Sequence, residues 1–515
     1  MLILFISSAI ALAIAAVIFN FGDDILWFFK SLKYFNQGIK VRYYPIVGYM
    51  KYADSPGAED GLEKWQRLFR KDEDSSKSES VILTNGAGSI PLLYVNDMEL
   101  LRDYFKRDSE ITCPCNLEKL PFQESYIFGY GKKVMEDRAI FSEIFYRENL
   151  SKLTSPILGI IKRHINAIKK RLNEVKPEDG QQYGELEIKG DIQSIFRDVV
   201  TFVLFGGDVP MVEGLSIIDQ IENMIVGYFK YNTGNLAHRL TGGLSSKLGL
   251  NAEFNRLERI HDKIKTIIKD IYNNRKNSKE YVKRLNVIDL LIDHNNKMEA
   301  ENGRVLTIEQ IVSNIIVMIF AGVDTSKNVT RNCTVELANN PDIQSDLRAA
   351  ARAQIFSKEG GSEDYDAYVE LEILDNFVTE ALRLYTPAWI NFLHLVKKDF
   401  KMGKYKISKG TAIRISFITL QSKPEYFENP RKFDLKKYED KAAMKEFKRY
   451  AIIPFSAGKR PCPGKNLAQL VIKMIVSNLV NELELIATDK PNRRMIEMNY
   501  TIEHCRFGLR PVNNF

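Results

Sequence analysis

Phe455-Ser456-Ala457-Gly458-Lys459-Arg460-Pro461-Cys462-Pro463-Gly464-Lys465-Asn466-Leu467-Ala468 sets one cysteine between two prolines, in a loop punctuated by Gly458 and Gly464. Directly after it, Leu467, Leu470, Val471, Met474, Ile475 and Leu479 recur at helical spacing, which predicts Cys462 at the mouth of an amphipathic helix. A helix N-terminus presents unpaired backbone N–H groups and a partial positive charge. Both favour a thiolate over a thiol and leave donors for the sulfur. The flanking prolines stiffen the approach and remove two N–H groups. Such a cysteine suits an anionic ligand or a nucleophile. A buried structural cysteine at a helix start is the plainer alternative.

The rest of the chain sets bounds on that chemistry. At 515 residues, with 45% hydrophobic and 11% aromatic side chains, it is a globular protein with a large core. Lys and Arg number 73 against 66 Asp and Glu, a net charge of +7 spread along the chain, which does not describe a nucleic-acid binder. Five cysteines fit no disulfide framework and suit a reducing compartment. Cys113-Pro114-Cys115 is too tight for an ordinary zinc knuckle and reads as structural.

Residues 1–22 are almost wholly apolar and just long enough to cross a bilayer core. A cleaved signal peptide competes with a membrane anchor here, but no basic residue precedes the run. Lys30, Lys33, Lys40 and Arg42 follow it, and the positive-inside rule then places everything downstream in the cytosol. Residues 23–50 read as a linker or hinge and 51–515 as the catalytic domain. Two apolar runs between Ser80 and Val95 flank Asn85-Gly86, a hairpin signal, and Asp97 opens a helix through Phe105. Helices are expected over Asn149 to Leu172, Asp191 to Phe205, and Phe254 to Ile271. The Leu236 to Asn251 stretch is an amphiphilic or a plainly solvated loop.

Thr307 to Asn340 is the longest helical candidate, started by a capping box of Thr307 and Gln310 and stopped by Asn340-Pro341. It would run about 50 Å. Ala321-Gly322-Val323-Asp324-Thr325-Ser326 interrupts its apolar run with a glycine and an acid-alcohol pair. Glycine lets a ligand approach the backbone, a hydroxyl can bend the helix by bonding backwards, and a buried carboxylate needs a partner or a function. A kinked helix with the acid turned to solvent is the plain alternative. Glu380 and Arg383 share a helical face before Thr386-Pro387 and can form a charge-assisted pair, a weak motif when taken alone.

Together these landmarks resemble the cytochrome P450 family. Phe455, Gly458, Arg460, Cys462 and Gly464 follow its haem-loop order, the 321–326 stretch resembles its oxygen-activating helix, and Glu380 with Arg383 resembles its structural lock. The resemblance implies a mainly α fold with small β-sheets (α+β) and one N-terminal transmembrane helix. It implies Cys462 as axial ligand of haem b (iron protoporphyrin IX), and Arg460 and Arg138 as propionate partners, although Val134 stands where tryptophan is usual. His394 falls where the family commonly carries another arginine, and is either a further donor to the haem carboxylates or a satisfied structural histidine. Thr325, helped by Asp324, would handle protons in oxygen activation. The lock's third member, an arginine in the family, is here Lys437 or absent. The activity implied is a monooxygenase using O2, a hydrophobic small molecule, and electrons from NADPH through a separate reductase, at the endoplasmic reticulum membrane. Lys441, Lys445, Lys448, Arg449, Lys459 and Lys465 would form a basic face for that donor. A reductase-independent isomerase or dehydratase of hydroperoxides, or a haem sensor or carrier, is the alternative. Phe122, Tyr126 and Phe128 would line the substrate loop.

Overall fold

A 32-residue helix, Ile308–Asn339, runs through one of the two units into which the chain divides. The computed structural model describes residues 24–43, 79–87, 90–107, 110–112, 125–127, 129, 131–177, 181–207, 209–234, 251–278, 284–357, 361–440, 451–488, 494–496, 500–502 and 504–512. The apolar run 1–22, the hinge residues 44–48, Cys113 to Cys115, Phe122, Phe128, nearly all of the 236–251 loop, and Lys441, Lys445, Lys448 and Arg449 lie outside them.

The first unit comprises residues 1–120, 223–263 and 390–428. Its centre is a mixed six-stranded sheet in the order Lys40–Arg42, Val81–Ala87, Ile90–Val95, Ala412–Ile415, His394–Val396, Ile111–Thr112. Continuous runs such as Val81-Ile82-Leu83 and Leu92-Leu93-Tyr94-Val95 are buried on both faces of the central strands. The hairpin forms, but its turn does not lie at Asn85-Gly86. The first strand continues through both residues to Ala87, with a register irregularity between Thr84 and Ala87. Asn85 is buried there and its amide donates to Asp24, so a tertiary contact has replaced the local turn preference. Asp97 caps the Met98–Phe105 helix as expected, accepting from the Leu100 N–H at 3.0 Å. The 23–50 segment holds a helix over 24–35 and the edge strand Lys40–Arg42, both built into this unit. Trp27 donates to the Thr84 carbonyl at 2.9 Å, and the Tyr34 hydroxyl meets that of Thr411 at 2.5 Å.

The second unit comprises residues 121–222, 264–389 and 429–515 and is mostly helical. Helices Arg147–Glu174 and Lys189–Phe205 contain the two expected ones, and the third, Ala252–Lys276, starts in the first unit and ends here. Ile308–Asn339 is capped by the reciprocal pair read from the sequence. Gln310 N–H donates to Thr307 Oγ1 at 3.2 Å, and Thr307 N–H donates to Gln310 Oε1 at 3.1 Å. Pro341 ends it by starting the next helix, Pro341–Gln354. Lys189–Phe205, Glu372–Leu384 and Lys465–Glu482 pack around the long helix. By length and composition it could span a bilayer, but its apolar side chains are spent on this core. A small antiparallel sheet of Leu483–Ile486, Arg506–Pro511 and Gly184–Glu187 closes one edge of the unit.

Candidate active site

Cys462 sits where its loop turns into a helix. Ser456 and Gly458 take positive φ, at 62° and 78°, which folds the loop back so that Cys462 N–H donates to the Phe455 carbonyl at 2.8 Å. Gly464 is the N-cap of Lys465–Glu482, and the Ala468 N–H returns to its carbonyl at 2.9 Å. The Cys462 sulfur thereby accepts the backbone N–H groups of Gly464 and Lys465. One expectation is reversed. Burial raises the thiol above its ordinary pKa and outweighs those donors and the nearby Arg138 charge, so the helix N-terminus alone does not yield a thiolate. A cationic metal held by the sulfur would supply what is missing, because a coordinating thiol is deprotonated outright.

By surface area Cys462 is exposed, yet its thiol is desolvated like a buried one. Both hold if the sulfur faces a protein-lined space instead of bulk water. The long helix of the same unit shows a matching feature. It is buried from Gln310 to Ile319 and from Ser326 to Ala338, while Phe320, Ala321, Gly322, Asp324 and Thr325 between them are half-buried. An accessible patch midway along a core helix means open space beside it. A Cβ on Gly322 would meet only Val200 Cγ2, at an ordinary 3.5 Å, so helix packing is not what requires glycine there.

Thr325 Oγ1 donates to the Ala321 carbonyl at 2.7 Å, the backward bond expected of it. Asp324 is not turned to solvent. It pairs with Lys327 at 3.0 Å, and Lys327 pairs with Glu222 at 2.9 Å. Burial raises the Glu222 carboxyl against the pull of Lys327. Lys327, three residues after Asp324, was visible as a helical neighbour; Glu222, on Ile217–Gly234, carried no sequence signal.

Two arginines lie by the cysteine loop without carboxylate partners among the described residues. Arg138, on Lys132–Ser142, donates to the Pro461 carbonyl, and Arg460 donates to the carbonyls of Tyr126, Ile127 and Gly129 at 2.9, 3.1 and 3.1 Å. Burial lowers the Arg138 pKa, and the Arg460 charge adds to the effect. Paired guanidiniums on neutral acceptors form a site awaiting an anion.

Glu380 and Arg383 are brought together fully. Arg383 Nε and Nη2 donate to the two Glu380 oxygens at 2.7 and 2.8 Å, with both residues at most 1% exposed. Lys437 fills the third place at 2.7 Å from Glu380 Oε1, and the Tyr438 hydroxyl donates to Oε2 at 2.7 Å. His394 lies in the first unit, its Nδ1 hydrogen-bonded to the Tyr104 hydroxyl and its ring stacked on Tyr104, whereas Cys462, Arg138 and Arg460 belong to the second.

A family profile described as Cytochrome P450 matches residues 61–506. This chain belongs to the cytochrome P450 family. Similar curated proteins include cytochrome P450 3A5 of Homo sapiens, 32% identical over 191 residues that cover 37% of this chain and 37% of that protein. Cytochrome P450 3A29 of Sus scrofa is 29% identical over 230 residues, covering 45% and 44%. The matched stretch is less than half the length of either relative. A solved structure titled "Crystal structure of cytochrome P450DA heme domain" matches with a TM-score of 0.74 at 15% identity, covering 92% of this chain and 97% of that one, a likeness of fold. The mainly helical P450 fold with small sheets is therefore established. Haem iron is the cofactor the family implies, and the site suits it: one sulfur at a helix N-terminus for the metal and two arginines with no carboxylate partner among the described residues.

Proposed function

We propose that this P450 is a membrane-bound monooxygenase that inserts one atom of O2 into a hydrophobic small molecule, with electrons from NADPH delivered by a separate reductase. The observation that carries the reading is the Cys462 sulfur, set at a helix N-terminus under two backbone N–H donors, on a residue exposed by area whose thiol is nonetheless desolvated. When bound, haem b supplies the redox chemistry, with an axial thiolate that favours O–O cleavage. Cys462 would hold its iron, Arg138 and Arg460 its carboxylates, and the turn through Phe455, Gly458 and Gly464 sets the sulfur's direction. Glu380 and Arg383 keep the core beneath the site rigid.

Thr325 is the residue that can hold a proton at the open patch of the long helix. Its own hydrogen is committed to Ala321, so it accepts from a neighbour until that bond is released, and it then donates. Asp324 is paired with Lys327 and is the nearest acid on that stretch of helix. Lys459 and Lys465 are exposed beside Cys462 and suit an acidic electron donor. Membrane attachment is supported by the apolar 1–22 segment and by the exposed Ile25, Leu26, Phe28, Phe29 and Leu32 that follow it, which suits a single-pass protein of the endoplasmic reticulum with 51–515 as its cytosolic catalytic part.

The deciding experiment is the absorption spectrum of the purified haem protein after reduction under carbon monoxide. A thiolate-type Soret band is expected, with Cys462→His moving it to the imidazole type. An imidazole-type band in the unaltered protein overturns the reading. Oxidation of substrate that proceeds from hydroperoxide alone, with no dependence on NADPH, would favour the isomerase class instead.

A further inference from the structure

We propose that the Tyr126 hydroxyl donates a hydrogen bond to a carboxylate of the bound haem, completing with Arg138 and Arg460 a three-donor anion site. This rests on the haem reading above. Tyr126 is 2% exposed, and both of its backbone polar atoms are committed. Its N–H donates to Asn314 Oδ1 at 2.8 Å, and its carbonyl accepts from Arg460 at 2.9 Å. Asn314 is itself fixed on the long helix, donating from Nδ2 to the Gln310 carbonyl at 2.7 Å. The turn that carries Tyr126 is closed by the Gly129 N–H on the Ser125 carbonyl at 2.9 Å. It presses so closely on Lys132–Ser142 that a Cβ at Gly129 would stand 2.7 Å from Val134 Cγ2.

The tyrosine is thus held on both sides, while its hydroxyl makes no hydrogen bond among the described residues. A hydroxyl on an almost wholly buried ring, with no hydrogen bond among the described residues, points to an acceptor that those residues do not supply. The surroundings say what that acceptor is. Arg138 lies over the phenol ring, its guanidinium carbon 5.9 Å from the ring centre, and neither Arg138 nor Arg460 has a carboxylate among the described residues. Cys462 is near enough to act on the phenol electrostatically. Burial holds the phenol far from ionising against the pull of Arg138, so it remains a neutral donor, and the two cations beside it select an anionic acceptor.

The test uses the full-length haem protein and follows transfer of haem to an acceptor apoprotein. Tyr126→Phe keeps the ring and its contact with Arg138 and removes only the oxygen. It should keep the thiolate-type Soret band and lose haem on the order of tenfold faster, as for a hydrogen bond to a charged group. When both proteins are supplied with the dimethyl ester of haem, whose carboxylates are blocked, the difference should vanish. Esterification in the unaltered protein should accelerate loss more than Tyr126→Phe does, since it strips the acceptor from all three donors. Equal rates for Tyr126→Phe and the unaltered protein with native haem overturn the proposal, as does a difference that survives esterification or no acceleration by the ester. Unaltered protein that takes up no haem overturns the haem reading and this proposal with it.

Discussion

Glu380 collects more donors than any other carboxylate described: two from Arg383, one each from Lys437 and Tyr438, and the Asp434 N–H at 3.3 Å. Burial by itself would raise its pKa, but Arg383 and Lys437 win and hold it below the usual carboxylate value. The contribution of this ion cluster to stability is therefore present above the unfolded pKa and lost as pH falls through the lower folded one. Glu380→Gln leaves two cations facing a neutral amide and should cost about 3 kcal/mol near neutral pH. Denaturant titration of the holoprotein checks this, and the variant's stability should fall less steeply on acidification than the parent's; a loss under about 1 kcal/mol would mean that solvent screens the site. The Glu-x-x-Arg spacing was legible, whereas the sequence left the third place to Lys437 or to no residue, and the structure puts Lys437 there. Tyr438 was not legible, because a phenol bonding a carboxylate 58 residues away leaves no local pattern. Cys462 was legible in position but not in ionisation, since helix-terminal donors can be read from a sequence and the depth of desolvation cannot.

At the scale of the element, the long helix shows how a local signal can be right and still incomplete. Thr307 and Gln310 form the capping box that their spacing predicts, yet Gln310 also donates through Nε2 to Asp137 at 2.9 Å, and Asp137 in turn receives Arg304. Thr307→Ala should then cost about 1 kcal/mol, the ordinary value of a lost cap. Gln310→Ala should cost roughly twice that, because it takes away one side of the box and also strips a donor from the buried Asp137. Equilibrium unfolding of the two variants gives the order, and equal losses would show that Arg304 alone satisfies Asp137. Periodicity located Arg147–Glu174, Lys189–Phe205, Ile308–Asn339 and the helix after Cys462, but Lys132–Ser142, Val287–Ala300 and Pro341–Gln354 were not read from the sequence. It misplaced the hairpin turn, because Asn85 is claimed by a contact with Asp24 from a distant part of the sequence. The Asp324–Lys327–Glu222 chain has the same character, with the i to i+3 half visible and the other half set by packing.

For the molecule as a whole, the order of landmarks along the sequence gave the family, while the role of residues 24–42 had to come from the structure. The segment looks like a tether because apolar side chains occur on every side of its helix. Trp27 and Tyr34 face inward and anchor it to the sheet, and Ile25, Leu26, Phe28, Phe29 and Leu32 are left facing out, Phe29 at 63% and Ile25 at 50% exposed. A folded unit with that many large apolar groups on one surface helix has a use for them, and the apolar run immediately before it indicates a lipid surface. On the membrane-bound reading proposed above, residues 1–22 and the helix are two separate attachments, and removing one should not abolish binding. A variant lacking residues 1–22 should still sediment with lipid vesicles, and high salt should weaken this only partly because the contact is mainly apolar. Adding Phe28→Ser and Phe29→Ser to that truncation should reduce vesicle binding by at least roughly tenfold, the burial of two phenyl groups at about 1.5–3 kcal/mol each setting the scale. The folded unit should survive both changes, since Trp27 and Tyr34 hold the helix from its other face. Truncated protein that stays in the supernatant at every vesicle concentration would assign the whole of membrane attachment to residues 1–22.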